Sequence, residues 1–172
     1  MNIIPYVKSG GGYSMPDDVM RKIWRIMVHY GLDKTVFYTG NMNEDKFLGF
    51  VKKESNVVHT IWEENGISMI AWLNGFGSNY AFGHFCCFPK TWGKNSVVLG
   101  RKCLEYWFSF KRGDESILDV ILGFTPANNK KAVGFLKKVG LTVMGTIPHI
   151  KCGLGDTGMV FSYVTREGYN GR

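Results

Sequence analysis

Residues 80–108 read YAFGHFCCFPKTWGKNSVVLGRKCLEYWF. Nine mostly apolar and aromatic residues, 80–88, have the composition of a buried strand. Pro89 to Lys94 form a short basic turn, and an apolar pattern of helical period follows from about Asn95 to Lys111. A helix that starts from such a turn presents unpaired backbone N–H groups and the positive end of its dipole, which together favour phosphate. Gly83, in mid-strand, marks a bulge or a close backbone approach.

Upstream, VVHTIWEE (57–64), the Asn65-Gly66 turn and ISMIAWLNGF (67–76) alternate as two arms of a hairpin. With 80–88 they make a three-stranded antiparallel meander. Before it, NIIPYV (2–7) is a short strand that Pro5 pushes to a sheet edge. SGGGYS (9–14) is a flexible turn. Val19, Met20, Ile23, Trp24, Met27 and Tyr30 recur at helical spacing after Pro16, and Gly31 ends that helix. VFYTGN (36–41) follows. Residues 43–53 form a second helix, acidic at its start and basic at its end.

Downstream, ILDVILGFTP (117–126) is the most continuously apolar strand and belongs in the sheet centre. NNKKAVGFLKKV (128–139) is an Asn-capped helix that Gly140 stops. LTVMGTI (141–147) and GMVFSYVT (158–165) are two more strands, and REGYNGR reads as a frayed tail. The order is strand, two helices, three strands, helix, strand, helix, two strands. It predicts one α/β (α+β) domain over 1–172: a mixed, mostly antiparallel sheet of about seven strands with helices on both faces.

Composition narrows the classes. The chain has 172 residues, 45% of them hydrophobic, enough for a real core and too few for two comfortable domains. No apolar run reaches the roughly 18 residues that span a bilayer, so no membrane association is expected, and no signal peptide is read at the start. Cys86, Cys87, Cys103 and Cys152 have neither CxxC nor Cys/His zinc spacing, so no metal site is expected. They read as reduced, mostly buried thiols of a cytoplasmic protein. A covalent role for Cys86 or Cys87 would need His84 to activate it. The net charge of +7 favours anionic partners. Its Lys and Arg residues are scattered in pairs, so nucleic acid is possible but not favoured.

With the order of elements on the page, the chain resembles the GNAT superfamily of N-acetyltransferases over roughly residues 2–165. The family's fourth helix commonly reads Asn-x-x-Ala-x-x-Φ-Tyr-x-Lys-x-Gly-Phe, where Φ is apolar. Here Asn129, Ala132, Lys138 and Gly140 hold that spacing. The family's turn after its fourth strand carries Arg/Gln-x-x-Gly-x-Gly/Ala, and here that turn runs Pro89-Lys90-Thr91-Trp92-Gly93-Lys94-Asn95-Ser96-Val97. The departures are Trp92 for Arg/Gln, Asn95 and Val97 for the small residues, and Leu136 for a Tyr that often protonates the leaving thiolate.

The resemblance implies an acetyl-CoA-dependent transferase in which an amine, from a small molecule or a protein, attacks the thioester directly. It implies acetyl-CoA in a gap beside strand 80–88, with Phe88, Lys90, Trp92, Gly93, Lys94, Asn95, Ser96 and Asn129 as cofactor contacts. Lys130 and Lys131 are placed near the 3′-phosphate. His84 is the expected base toward the acceptor, with Glu63, Glu64 and His59 behind it. The Gly10–Gly12 loop and residues 148–157 border the acceptor site in such a fold. The alternative is a GNAT-fold protein without catalysis that serves in binding or assembly, for example in a phage head, which Leu136 and the glycine-poor turn favour.

Overall fold

Seven strands build one sheet in the computed structural model, which describes residues 1–38, 40–152, 155–156 and 158–170, with Lys151, Cys152 and Asp156 described by backbone alone. The strands are β1 (Asn2–Tyr6), β2 (Val57–Glu63), β3 (Gly66–Asn74), β4 (Tyr80–Cys87), β5 (Val120–Pro126), β6 (Thr142–Ile147) and β7 (Met159–Thr165). Their order across the sheet is β1-β2-β3-β4-β5-β7-β6. All neighbours are antiparallel except β4 and β5, which run parallel. The expected mixed sheet is present, with Pro5 on the edge strand, where its missing N–H costs no ladder bond. Strand β5 pairs on both sides, as its unbroken apolar run requires.

The helices are α1 (Asp17–His29), α2 (Leu32–Val36), α3 (Glu44–Lys52), α4 (Lys94–Phe108), α5 (Lys130–Val139) and α6 (Arg166–Asn170). Alternation along the strands divides the apolar residues between two cores. On one face Val58, Ile70, Trp72 and Cys86 meet Met20, Ile23, Trp24 and Met27 of α1 and Phe47 and Val51 of α3. On the other, Ile61, Ala71, Leu73 and Ile121 meet Leu99, Cys103, Leu104 and Trp107 of α4 and Leu136 and Val139 of α5. Cys86 and Cys87 therefore fall on opposite faces, and with Cys103 they are unbridged thiols. The Cys152 side chain lies outside the described residues.

Between α1 and α3 the structure adds a one-turn helix over residues 32–36, for which the sequence reading named no element; Gly31 takes a left-handed φ of 65° and restarts the chain. Three local expectations need correction. Residues 166–170 are a docked helix and not a frayed tail. Arg166 donates to the carbonyls of Phe108 and Leu118, and Tyr169 Oη donates to Arg101 O at 2.9 Å. Helix α4 ends at Phe108, three residues early, and buries Leu99 while leaving Val98 half exposed. The glycine loop is the tip of a small hairpin, Lys8–Ser9 with Gly12–Tyr13, held down by Tyr13 stacking on Tyr6. It does not border the cavity described below.

Gly83 carries no bulge; the register shifts lie at Ile61/Trp62 and Val143/Gly145. The second reading of that glycine holds. A Cβ there would sit 2.8 Å from Ile121 Cγ2 and 3.1 Å from Trp107 Cζ3. The close approach brings β4 onto β5 and α4 just before the two strands part.

Candidate active site

β4 and β5 pair over only three positions, Tyr80↔Val120, Ala81↔Ile121 and Phe82↔Leu122. Beyond Phe82 they diverge, while each stays paired to its other neighbour. Backbone groups alternate sides along a strand. Asn79 O accepts from Val120 N, on the β5 side, and Phe88 N donates to Ser68 O, on the β3 side. Gly83, Phe85 and Cys87 therefore turn their N–H and C=O into the gap. A cavity of about 750 Å³ fills it.

One end of the cavity reaches the start of α4. Trp92, Gly93, Ser96 and Val97 line it, with Asn129 and Lys131 opposite. Helices α3 and α5 have Asn side chains on their first-turn N–H groups, Asn43 and Asn129. Helix α4 has Gly93 in that place and no side-chain cap. Gly93 has φ 92°, which favours glycine, and open space lies over it. Ser96 Oγ donates back to Gly93 O at 2.8 Å. The start of α4 thus borders the cavity at Gly93, Ser96 and Val97 with no side chain capping its first turn, an arrangement that favours an anion.

Trp92 closes over this end. Its Nε1–H donates to Cys87 O at 3.0 Å, so the indole takes one of the backbone acceptors in the gap. Lys131 Nζ lies over the ring, 5.1 Å from its centroid. Sequence reasoning placed Trp92 near phosphate and gave no hint of this clasp, because a strand carbonyl's partner is not written in local pattern.

The other end of the cavity opens beneath the α1–α2 connection. Tyr30, Leu32, Val36 and Tyr38 line it, with Trp72 and His84 on one wall and Phe124 on the other. Trp72 and His84 stack at 4.9 Å, and Phe37 stacks on Trp72 at 5.7 Å. His84 Nε2 lies 3.0 Å from Asn74 Oδ1. A carboxamide oxygen only accepts, so the proton sits on Nε2 and Nδ1 keeps its lone pair. Burial pushes the His84 imidazole down to about 4, well below its usual range. The ring is neutral at pH 7 and a weak base, which corrects the expectation of a near-neutral one.

The remaining expected site residues divide. Trp92, Gly93, Ser96, Asn129 and His84 line the cavity. Glu63, Phe88, Lys90, Lys94 and Asn95 do not. Glu63 sits at the β2–β3 turn and accepts from Ser68 Oγ at 2.7 Å and Asn95 Nδ2 at 3.1 Å, which removes both it and Asn95 from the gap. Lys90 reaches the same turn, donating to Asn65 O at 2.6 Å. Phe88 is buried in the α1–α3 core. His59 is a core residue, accepting from Trp107 Nε1–H at 3.3 Å and pushed down to about 4 by burial. The Cys87 thiol is pushed up to about 12 by burial and the Cys86 thiol higher still, so neither is an activated nucleophile. Missed from the sequence were Tyr30, Tyr38 and Phe124. Tyr30 continues the apolar stripe of α1 and reads as core, yet it stands half exposed at the cavity rim.

The chain's sequence matches no protein-family model and no curated protein. Its structure does match solved ones. Spermidine N-acetyltransferase from Vibrio cholerae, in complex with CoA and spermine, superposes with a TM-score of 0.74 over 98% of each chain at 13% identity. The chain has the GNAT fold. Ribosomal-protein-S5-alanine acetyltransferase from Vibrio fischeri shares this GNAT architecture, with a TM-score of 0.68 at 10% identity over 90% of this chain and 92% of that one. The parted parallel pair β4/β5 lies in the middle of the sheet. No helix among the described residues is long and apolar enough to cross a membrane.

Proposed function

We propose that the protein is an acetyl-CoA-dependent N-acetyltransferase that joins an acetyl group to an amine within the β4/β5 gap. The observation that carries this reading is the gap itself. Two parallel strands part after three paired positions and open a cavity that ends on the uncapped start of α4. Strand backbone that loses its ladder partner must find other hydrogen-bond partners, and an extended amide-bearing arm of a ligand fits that need. The structurally similar spermidine acetyltransferase was crystallised with CoA.

The residues present suit CoA. The uncapped start of α4, where Gly93 and Ser96 line the cavity, would take the pyrophosphate, and Lys130 and Lys131 add positive charge beside it. The N–H and C=O groups of Phe85 and Cys87 take the pantetheine amides, once Trp92 releases Cys87 O. Bound acetyl-CoA supplies an activated thioester. A gap N–H, from Phe85 or Cys87, polarises its carbonyl where negative charge develops. Neutral His84 offers Nδ1 to the acceptor's proton. Leu136, buried at the cavity wall where the family often has Tyr, excludes water and donates nothing.

Calorimetry with CoA tests the reading: binding in the micromolar range is expected, and its absence at millimolar CoA sinks it. The second reading, a binding or assembly protein on the same fold, draws on the Trp92–Cys87 bond and on Leu136. CoA binding without turnover of any amine would favour it.

A further inference from the structure

The surplus positive charge is divided unevenly between the two helical layers. Helices α1, α2 and α3 carry six Lys or Arg and five Asp or Glu. Helices α4 and α5 carry seven Lys or Arg and a single acid, Glu105. The first layer also pairs its charges: Arg21 with Glu44 and Asp45, Arg25 with Glu44, Lys52 with Asp17. In the second layer all seven cations are exposed, and among the described residues none of them forms an ion pair. Glu105 lies at the border with α6, its carboxylate 3.3 Å from Tyr169 Oη.

Helix geometry puts these cations in rows. Lys94 and Arg101, Lys130 and Lys137, and Lys131 and Lys138 are each seven residues apart, two turns or about 10 Å of rise, so each pair shares a stripe. Lys102 stands beside Arg101. The stripes face solvent, while Leu99, Leu104, Leu136 and Val139 face the sheet. The two helices lie against each other: a Cβ at Gly100 would sit 2.7 Å from Phe135 Cζ, and Arg101 Nη2 donates to Lys138 O at 2.9 Å. Basic pairs that look scattered in the sequence are thus gathered on one surface. Lys94, Arg101, Lys102 and Lys137 do not line the cavity, so the CoA reading leaves them unused.

Unpaired like charges side by side repel one another and attract a polyanion. We propose that the outer face of α4 and α5 binds the phosphate backbone of double-helical nucleic acid without sequence preference. There is one row of cations on each of two packed helices, whose axes lie about 8–10 Å apart, so the face offers charge to two strands. No aromatic residue of α4 or α5 is exposed, so an unpaired base has nothing there to stack on. Six of the seven cations are lysines, which hold phosphate as point charges; Arg101 alone has the fork that reads a base edge.

The test is fluorescence anisotropy of a labelled DNA duplex of about 20 base pairs and mixed sequence with the full chain, without CoA, between about 50 and 200 mM NaCl. Micromolar binding is expected at the low end. The Kd should rise with salt with a log–log slope of about 4 to 6, at about 0.9 per phosphate contact. Replacing Lys94, Lys102 and Lys137 together by Gln should lower that slope by about 2 to 3 and weaken binding about tenfold or more at low salt. Replacing Lys22, Lys34 and Lys46 by Gln removes the same charge from the other layer and should leave the slope within about 0.5. No binding at about 100 µM protein in the lowest salt, equal losses in the two triple variants, or tighter binding of a single strand of the same length would each overturn the proposal. No CoA enters this experiment, so its outcome and that of the CoA titration are read separately.

Discussion

Replacing Trp92 should tighten CoA binding. Two interactions hold the indole over the gap. Its Nε1–H donates to Cys87 O at 3.0 Å, and the Lys131 ammonium lies 5.1 Å from its centroid. A protein hydrogen bond contributes about 0.5–1.5 kcal/mol net. A cation–π contact at an exposed site adds about 0.5–1 kcal/mol, and Trp92 is 51% exposed. The clasp is therefore worth about 1–2.5 kcal/mol. A ligand amide that uses Cys87 O must first open it, so the apparent affinity is lowered by the closed fraction. Trp92→Ala removes both contacts and should lower the CoA Kd by roughly 5- to 60-fold at 1.4 kcal/mol per decade. Trp92→Phe keeps a ring for Lys131 and deletes only the N–H, so it should recover about half of that gain in free energy. Calorimetry of the three proteins against CoA reads both numbers. Weaker binding by the alanine variant refutes the reasoning, because the indole would then be part of the ligand surface and not a cover over it.

Other perturbations follow from the same fold. Gly83→Ala drives a methyl against Ile121 and Trp107 at 2.8 and 3.1 Å, and such overpacking costs about 1–3 kcal/mol. Thermal unfolding should move down by several degrees, and an unchanged Tm would mean that β4 and β5 yield there. Gly93→Ala meets no neighbour, so its cost is backbone strain alone, about 1 kcal/mol or more at φ 92°; CoA affinity should drop with stability, and a stable variant with full affinity would remove the α4 start from the site. His59 and His84 are both held near 4 by burial, against 6.5 when unfolded. The unfolded chain therefore binds protons at these positions first as pH falls. Stability is full above about pH 6.5 and is lost toward pH 4, by about 2 kcal/mol per histidine at pH 5. Urea midpoints at pH 7 and 5 measure it, and equal midpoints would show that one or both rings are protonated in the folded state.

How much of this was legible beforehand depends on where the signal lives. The sheet was readable because its strands announce themselves locally, by alternation in 57–64 and 67–76 around Asn65-Gly66 and by the apolar run at 117–126. The parting of β4 and β5 was reachable only through the resemblance, since nothing in FGHFCCF or GFTP says where pairing stops. Residues 32–36 and 166–170 escaped because each is one turn long and neither buries a side chain. Their stability comes from Gly31 geometry and from Arg166 on distant carbonyls. Glu63 and Asn95, expected as a base and a cofactor contact, are partners of each other in the fold, 32 residues apart. Trp92 was correctly flagged as a departure, but its partner was not foreseeable.

The loss of a tyrosine at Leu136 weighs less against catalysis than the sequence suggests. General acid catalysis is worth about 10²–10⁴-fold when a group must be protonated as it leaves. A thiol has a reference pKa near 8.5, so a thiolate is a tolerable leaving group at neutral pH and water can protonate it afterwards. The harder proton is the acceptor's. An alkylammonium near 10.4 must lose a proton before it attacks, and an imidazole held near 4 draws it away poorly. An amine that is already neutral at pH 7, such as an arylamine, does not face that barrier. If the chain is an enzyme, its rate with aniline should change little between pH 6 and 8, whereas its rate with 2-phenylethylamine should climb up to about tenfold per pH unit as the free-base fraction grows. A rate that falls with rising pH for both would place a required acid in the site and return the missing tyrosine to the centre of the question.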